Sequence, residues 1–186
     1  MVAVHSNMFP LGKLAPDFNL LEVTSGTYQS LNELKSDKAT VIMFICNHCP
    51  YVKHVNVELV RLYADYAARG VAFIAISSND VEKYPDDSPE QMKLTAEQTG
   101  YQFPYLYDET QEVARAYEAA CTPDFYIFDE QLGCVYRGQL DDSRPKNDKP
   151  VTGKDVRSAL DQLLAGQPVN PEQVPSLGCN IKWKEN

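Results

Sequence analysis

The segment Ala39–Cys49, which reads ATVIMFICNHC, decides the fold that this sequence predicts. Its first seven residues, Ala39–Ile45, are apolar apart from one threonine and include several β-branched side chains. A run of this length and composition is typical of a strand buried in a parallel sheet. The run leads directly into Cys46 and Cys49, two cysteines separated by two residues. We therefore predict a buried strand that ends at a pair of closely spaced thiols.

A long helix is predicted directly after the two cysteines. Apolar side chains recur there at helical spacing, and a glycine that suits a helix end follows them. These positions are Val52, Val55, Leu59, Leu62, Tyr66 and Gly70. Because free N–H groups and the dipole at a helix N-terminus stabilise negative charge, we expect Cys46 there to have a pKa below the ordinary ~8.5. A charged His48 would add to this effect, and Cys49, one turn deeper, would be the resolving thiol.

Strands alternate with helices along the rest of the chain. Further strands are predicted at Ala15–Leu21, Thr27–Gln29, Val71–Ile76, Phe103–Tyr107, Phe125–Phe128 and Cys134–Arg137. Further helices are predicted at Leu31–Leu34, Pro89–Thr99, Thr110–Tyr117 and, after a capping box at Thr152–Asp155, Val156–Leu164. Residues 77–88 are predicted as a loop, and residues 169–186 as a tail without a clear period. This order predicts an α/β fold with a mixed sheet in one domain, 1–186, whose core covers about residues 10–165.

The composition argues against nucleic acid and membrane partners. With 17 basic and 26 acidic residues, the formal net charge is −9, which repels phosphate backbones and anionic lipid. No apolar run approaches the ~20 residues that a membrane-spanning helix needs. The first seven residues, MVAVHSN, lack the basic and apolar regions of a secretion signal. We therefore expect a cytoplasmic location.

The five cysteines do not form the framework of a disulfide-stapled secreted protein. Their number is odd, and only one pair is closely spaced. In a reducing compartment such a pair is more often catalytic or metal-binding than structural. Structural zinc needs four ligands, commonly with a second closely spaced pair, whereas the remaining cysteines and histidines are scattered. Redox chemistry is therefore favoured over a metal site, and we expect neither a metal nor an organic cofactor.

The order of the predicted elements carries a family resemblance. A strand, a CxxC pair, a long helix and a later Thr122-Pro123 before a hairpin strand resemble the thioredoxin superfamily. The longer path to Pro123, with an extra strand and helix, and the opening Ala15–Phe18 (APDF) resemble its alkyl hydroperoxide reductase/thiol-specific antioxidant (AhpC/TSA) branch. The segment Cys46–Val52, CNHCPYV, resembles a peroxiredoxin-like subgroup. The resemblance implies a thioredoxin-like fold: a central mixed β-sheet flanked by helices, with an N-terminal β extension and a strand and helix inserted before a cis-proline.

The resemblance also implies roles for individual residues. The expected catalytic residues are Cys46, His48, Cys49 and Pro123. The expected substrate contacts are Asn47, Thr122 and Gly138. Pro123 is expected to be the cis-proline beside the dithiol, which leaves a neighbouring backbone edge free to pair with substrate. Gly138 matches the glycine that helps to form the substrate-facing surface of thioredoxins.

The other three cysteines have less defined roles. Cys121 lies two residues before Pro123 and is a candidate third redox thiol, although a small buried side chain is the favoured interpretation. Cys134 lies in a predicted strand and is expected in the core. Cys179 lies in the tail, which would have to fold back over the site to bring it near the dithiol. A redox role for Cys179 is the less favoured interpretation.

The favoured function is that of a thiol–disulfide oxidoreductase. Cys46 would attack a disulfide of a protein or small-thiol substrate, and Cys49 would displace the reduced product. A separate reductant would then restore the dithiol. Thr40 stands where thioredoxin has a buried aspartate that relays protons to the second cysteine, so His48 is one option for this transfer.

Two other functions stay open. Peroxiredoxins place a Thr or Ser three residues before the attacking cysteine and a Pro seven residues before it. Met43 and Ala39 hold these positions relative to Cys46, so the peroxide-binding pattern is absent; relative to Cys49 the residues are Cys46 and Ile42. A peroxidase in which Cys46 or Cys49 forms a sulfenic acid is nevertheless one alternative. A metal-binding or redox-sensing module is the other.

Overall fold

Strands and helices alternate along the chain, as predicted, in a computed structural model that describes residues 2–185. The strands in this part of the chain are β1 (Ala3–His5), β2 (Asn19–Glu22), β3 (Thr27–Ser30), β4 (Ala39–Phe44), β5 (Val71–Ser77), β6 (Tyr105–Tyr107), β7 (Cys121–Thr122), β8 (Asp124–Asp129), β9 (Cys134–Gly138) and β10 (Leu177–Asn180). The α-helices are α1 (Leu31–Leu34), α2 (Pro50–Ala67), α3 (Pro89–Thr99), α4 (Glu112–Ala116) and α5 (Lys154–Leu164). A short 3₁₀ helix covers Pro85–Asp87.

The central sheet has seven strands in the order β3-β2-β6-β5-β4-β8-β9. Strand β4 lies parallel to β5, and β5 lies parallel to β6. The other neighbours in this sheet are antiparallel, so the sheet is mixed, as predicted. In register, Ala39–Phe44 of β4 pairs with Val71–Ile76 on one side and with Asp124–Asp129 on the other. The residues after β4 therefore leave the sheet from a central position.

The side chains of β4 alternate between two apolar cores, one on each face of the sheet. Val41 and Met43 pack in a core with residues of α2, α3 and α5. Ile42 and Phe44 pack in a second core with residues of α1 and α4. Because both faces are covered, all six residues of β4 are buried. This is why its sequence is a continuous apolar run rather than an alternating one.

Helix α2 buries the apolar stripe that the sequence predicts. Its buried apolar residues are Val52, Val55, Leu59, Leu62 and Tyr66. Glu58 is also buried on this helix, and its Oε1 lies 2.7 Å from Nη2 of Arg157 in α5. The ion pair compensates the charge that the helix carries into the interior. Among the helices of residues 2–185, none combines the length and the apolar composition needed to cross a membrane.

The start of α5 differs from the prediction. The expected capping box at Thr152–Asp155 is wrong, because α5 is capped by Gly153, which has a φ of 65° and no side-chain oxygen. The carbonyl of Leu140 takes over this role, since it accepts hydrogen bonds from the first-turn N–H groups of Asp155 (3.2 Å) and Val156 (3.4 Å). Oδ2 of the next residue, Asp141, accepts hydrogen bonds from the backbone N–H groups of Thr152 and Gly153, both at 2.7 Å, and so fixes the turn before the helix. A left-handed backbone conformation favours glycine, and the helix begins at the next residue, Lys154.

The C-terminal tail contains a strand that the sequence did not indicate. Strand β10 lies between β1 and β7 in a second, three-stranded antiparallel sheet. In its pairing with β7, Cys179 lies opposite Thr122, and Asn180 lies opposite Cys121. A four-residue strand shows little alternation, and glycine weakens strand propensity. Gly178 is nevertheless required, because a Cβ there would lie 2.0 Å from the Thr122 carbonyl oxygen.

Candidate active site

The CxxC pair lies at the carboxyl end of β4. The Ile45 N–H still donates to the Ile76 carbonyl at 3.0 Å, and the chain then leaves the sheet. Cys46 is 2% exposed and Cys49 is fully buried. Helix α2 begins at Pro50 with Cys49 as its N-cap residue, because proline suits the first helical position, where its missing N–H needs no partner. The prediction that Cys46 occupies the helix N-terminus is therefore wrong, and Cys46 lies in the preceding loop.

The end of β7 contacts both sulfur atoms. Its Thr122–Pro123 peptide bond is cis, which confirms the conformation that the resemblance implied. The Sγ of Cys46 lies 3.4 Å from Thr122 Oγ1, and the Sγ of Cys49 lies 3.3 Å from the Thr122 carbonyl oxygen. The fold thus brings the CxxC pair together with Thr122 and Pro123, which lie more than 70 positions later in the sequence.

A buried carboxylate lies beside the pair, at the end of the 3₁₀ helix between β5 and α3. Asp87 is fully buried, and its Oδ1 accepts hydrogen bonds from the backbone N–H groups of Asn47 (2.8 Å) and His48 (3.3 Å). Its Oδ2 lies 2.5 Å from Nδ1 of His48 and accepts a bond from Asn79 Nδ2 at 2.7 Å. The His48 ring also stacks on Tyr84, at 5.4 Å between centroids. These contacts fix the orientation of the imidazole.

The charge of Asp87 is stabilised where it lies. Burial alone raises the pKa of a carboxyl group, but hydrogen bonds from His48 and Asn79 outweigh it and hold the pKa of Asp87 below its usual value. Cys46, His48 and Asp87 each place one side-chain heteroatom within 4.8 Å of the other two. An imidazole held in this way by a carboxylate can accept a proton from a neighbouring thiol. The sequence did not indicate Asp87. Thioredoxins have their buried aspartate in the strand before the pair, and that strand carries no acidic residue here.

Asn47, which was expected to contact substrate, uses its side chain inside the protein. Its Nδ2 donates to the backbone carbonyl of Asp86 at 2.8 Å, and its Oδ1 accepts from the hydroxyl of Tyr105 at 3.1 Å. Tyr105 is fully buried, and this burial raises the pKa of its hydroxyl. Asn47 therefore holds the CxxC loop against β6 and against the 3₁₀ helix, and in this way it helps to position the two cysteines.

The two thiols of the pair have opposite pKa shifts. The pKa of Cys46 is raised, first by its hydrogen bond to Cys49 and then by burial and the nearby Asp87 carboxylate. The pKa of Cys49 is lowered, because the side chains of Cys179 and Cys46 hydrogen-bond to its sulfur and the Val52 N–H adds to them. The prediction of a lowered pKa at Cys46 is thus wrong in this structure. Negative charge is best stabilised on Cys49, which lies at the helix N-terminus.

The C-terminal strand β10 covers the site. The Sγ of Cys179 lies only 2.6 Å from the Sγ of Cys49, and Cys179 is 4% exposed. Because β10 pairs with Thr122, the backbone edge that was expected to be free for substrate is occupied by the chain itself. A short strand in a tail without a period gave no sequence signal for this contact.

Gly138 lies at the end of β9 and not on an open surface. Its φ is 140°, and a Cβ at this position would lie 2.2 Å from the Val174 carbonyl oxygen. The next residue, Gln139, donates its N–H to the same carbonyl at 3.0 Å. The segment that leads into β10 therefore covers the surface through which Gly138 was expected to face substrate.

Comparison with known proteins identifies the family. Residues 11–136 match the family model described as the AhpC/TSA family. The chain belongs to the AhpC/TSA family. The AhpC/TSA branch was also the one predicted from the motif order.

Individual relatives of this AhpC/TSA-family chain agree with the fold. The crystal structure of an uncharacterized conserved protein from Geobacillus kaustophilus is 68% identical, with a TM-score of 0.99 and coverage of 100% of this chain and 98% of that one. The thiol-disulfide oxidoreductase ResA of Oceanobacillus iheyensis is 28% identical over 133 residues, which span 67% of this chain and 66% of ResA. The thioredoxin domain of a thiol-disulfide oxidoreductase from Bacteroides vulgatus is 18% identical, with a TM-score of 0.60 over 70% of this chain and 89% of that one. The predicted thioredoxin-like fold is thereby confirmed.

Two further cysteines of the AhpC/TSA-family chain are buried. Cys121 is fully buried, its Sγ lies 4.0 Å from the Pro123 carbonyl oxygen, and burial raises its pKa. Cys134 is 2% exposed in β9, and burial raises its pKa to about 12. Both thiols therefore match the interpretation as small buried side chains, and neither is ready to ionise.

Within residues 2–185, the cluster that could hold a metal ion consists of Cys46, His48 and Asp87. Structural zinc is normally held by four ligands. Both oxygens of Asp87 already accept hydrogen bonds, from Asn47, His48 and Asn79. The arrangement fits proton transfer better than metal ligation.

Proposed function

We propose that this AhpC/TSA-family protein is a thiol–disulfide oxidoreductase that cycles between the dithiol and the disulfide of Cys46 and Cys49. The observation that carries the proposal is that both sulfurs contact Thr122 beside the cis-Pro123 and hydrogen-bond to each other. The name of the relative ResA, a thiol-disulfide oxidoreductase, supports the same reaction class.

The reaction begins at Cys46, the first thiol of the CxxC motif and the one to which the family resemblance assigns the attack. Its sulfur attacks one sulfur of a substrate disulfide; the new S–S bond forms, the substrate S–S bond breaks, and the second substrate sulfur leaves as a thiolate. Because the pKa of Cys46 is raised, a base is needed for the attack. His48, oriented by Asp87, accepts the Cys46 proton.

Cys49 completes the cycle. Its sulfur, whose pKa is lowered, attacks the Sγ of Cys46, so that the Cys46–Cys49 disulfide forms and the first substrate sulfur is released. Two electrons have then passed from the dithiol to the substrate. A separate reductant must return two electrons before the next cycle. The substrate class is a disulfide-containing protein or a small disulfide, and the cytoplasmic location expected from the sequence stays a prediction.

Insulin reduction with dithiothreitol as the final reductant tests this proposal. We expect the wild type to accelerate the reaction, and Cys46→Ser and Cys49→Ser each to reduce the rate to that of dithiothreitol alone. Cys134→Ser is the matched control, since it makes the same change at a buried cysteine of the second core and should keep the wild-type rate. Full activity in Cys46→Ser would disprove the assigned role of that thiol.

Peroxide reduction is the competing activity for this family. Met43 and Ala39, which stand where peroxiredoxins have their hydroxyl residue and proline relative to Cys46, are both fully buried in β4. Neither therefore offers a polar group to a peroxide beside the sulfur. Replacing insulin by hydrogen peroxide in the same assay separates the two activities, and we expect the peroxide rate to match that of dithiothreitol alone.

A further inference from the structure

The C-terminal strand β10 pairs with the backbone edge at Thr122 that was expected to bind a substrate strand. Extended peptides add as strands to free sheet edges, where backbone hydrogen bonds hold them. Cys179 and Asn180 of β10 occupy this position in an antiparallel register with Thr122 and Cys121. The strands approach closely here, since a Cβ built at Gly178 would lie 2.0 Å from the Thr122 carbonyl oxygen.

The strand places a third sulfur against the dithiol. The Sγ of Cys179 lies 2.6 Å from Cys49 Sγ, compared with ~2.05 Å in a disulfide bond. Cys49 thus has one thiol partner in its own CxxC motif and a second in β10. The segment around Cys179 is also fixed in place: Ile181 N–H donates to the Ala120 carbonyl at 3.0 Å, and Lys182 N–H donates to Asn79 Oδ1 at 2.8 Å. A disulfide between Cys49 and Cys179 therefore requires only a small movement of two side chains.

We propose that Cys179 is a third redox thiol of this site, delivered to Cys49 by a strand that occupies the substrate-pairing edge. The inference rests on the proposed function of the Cys46/Cys49 pair. After that pair has been oxidised by a substrate disulfide, the Cys179 sulfur attacks Cys49 Sγ. The Cys49–Cys179 bond forms, the Cys46–Cys49 bond breaks, and Cys46 leaves as a thiolate that takes up the proton lost by Cys179. The number of disulfides is unchanged.

This exchange has a consequence for the cycle. A Cys49–Cys179 disulfide ties β10 covalently to the N-cap residue of α2, so that the pairing of β10 with Thr122, already present in the dithiol form, can no longer open. Cys46 is then a thiol again, but the edge beside it is closed to a substrate strand. The separate reductant must therefore break the Cys49–Cys179 bond before a further substrate is reduced.

Peptide mapping after oxidation tests the inference on the full chain. Wild-type protein is treated with one equivalent of oxidised glutathione, quenched in acid, blocked with N-ethylmaleimide and digested with trypsin without reduction. Cys46 and Cys49 lie on peptide 39–53, Cys179 on peptide 158–182, and the other two cysteines on peptide 116–137. We expect peptide 39–53 with an internal disulfide, and also peptide 39–53 joined to 158–182 with maleimide on Cys46.

Variants separate this inference from the proposed function. In Cys46→Ser, Cys49 can still react with glutathione and be resolved by Cys179, so the 39–53/158–182 product should be the main disulfide. Cys134→Ser, the control, should give the wild-type products. Suppose that wild type forms the internal disulfide in 39–53, but neither wild type nor Cys46→Ser forms the joined product. This result would overturn the role of Cys179 and leave the proposed function standing. Absence of every disulfide on 39–53 would overturn both.

Gly178→Ala tests the placement of the strand without changing a sulfur. Because its Cβ would overlap the Thr122 carbonyl, β10 should move away from the edge. We expect the joined product to fall by about 10-fold, since the effective concentration of Cys179 at Cys49 falls, while the internal disulfide persists. Gly133→Ala, where the added Cβ meets only the Asp129 carboxylate at 3.3 Å, is the control. An unchanged yield in Gly178→Ala would contradict delivery by this strand.

Discussion

At the scale of single residues, the chemistry of the site depends on how one carboxylate fixes one imidazole. Asp87 accepts hydrogen bonds from two backbone N–H groups of the CxxC loop and from Asn79, and it holds Nδ1 of His48. The sequence predicts His48 as a site residue from its place in the motif. It does not predict Asp87, because this residue lies 40 positions after Asn47, in a short 3₁₀ helix whose placement depends on tertiary contacts.

His48→Gln tests proton transfer at Cys46. Glutamine keeps a hydrogen-bond donor toward Asp87 but cannot take up a proton. We expect kcat/KM for insulin reduction to fall by about 100-fold near neutral pH, and the deficit to shrink at alkaline pH, where hydroxide ionises the thiol directly. His54→Gln, which makes the same change six residues later, in helix α2, is the control and should match wild type. A deficit that stays constant across the pH range would contradict the role in proton transfer.

At the scale of elements, the strand after the cis-proline begins with a buried acid. Asp124 is 1% exposed, and its oxygens accept bonds from the Phe125 N–H (3.1 Å) and the Tyr126 hydroxyl (2.9 Å). Burial outweighs these bonds and raises the pKa of Asp124 from 3.8 to about 7. The folded state therefore binds this proton more tightly than the unfolded state does. The contribution of this proton to the free energy of unfolding is fully present below pH 3.8 and is lost as the pH rises to about 7.

Asp124→Asn should remove this pH dependence. The free energy of unfolding of wild type should decrease between mildly acidic and mildly alkaline pH. We expect this decrease to be smaller in Asp124→Asn by about 2–3 kcal/mol. Urea unfolding at a series of pH values measures it. Asp129→Asn, at the other end of β8, shows what the same change does away from the site. If the free energy of unfolding of Asp124→Asn changes with pH as much as that of wild type, Asp124 does not retain its proton in the folded protein.

The elements that the sequence predicts well are those whose pattern is local. Strand β4 is a continuous apolar run and α2 has a clear helical stripe, so both follow from side-chain periodicity. Strand β10 and the start of α5 do not, because their partners lie outside the local pattern. Thr122 and Val2 bond to β10, and the Leu140 carbonyl accepts the first-turn N–H groups of α5.

At the scale of the whole molecule, the C-terminal segment connects the second core to the site. Ile181 is 1% exposed in that core, and the next residue, Lys182, donates its N–H to Asn79, which in turn donates to Asp87. The order of strand, CxxC, helix and cis-proline predicts the fold and the dithiol. The closing of the site by the tail could not be predicted, since it depends on contacts between parts of the chain about 100 positions apart.

Ile181→Ala measures how firmly the tail is held. We expect the free energy of unfolding to fall by about 2–4 kcal/mol, because a fully buried isoleucine leaves a cavity when truncated. Val174→Ala is the matched control in the same segment, since Val174 is 53% exposed, and its effect should stay within ~0.5 kcal/mol. Equal, small effects of the two changes in urea unfolding would contradict the packing of the tail into the core.

The most direct test of the dithiol–disulfide couple is a redox titration of the wild-type protein in glutathione buffers, followed by acid quench, maleimide blocking and mass measurement of peptide 39–53. We expect two maleimide adducts on this peptide at reducing ratios and their reversible loss at oxidising ratios. The peptide with an internal disulfide should carry no adduct, and the peptide joined to 158–182 should carry one, on Cys46. Two adducts on peptide 39–53 at every ratio would show that the two cysteines form no dithiol–disulfide couple.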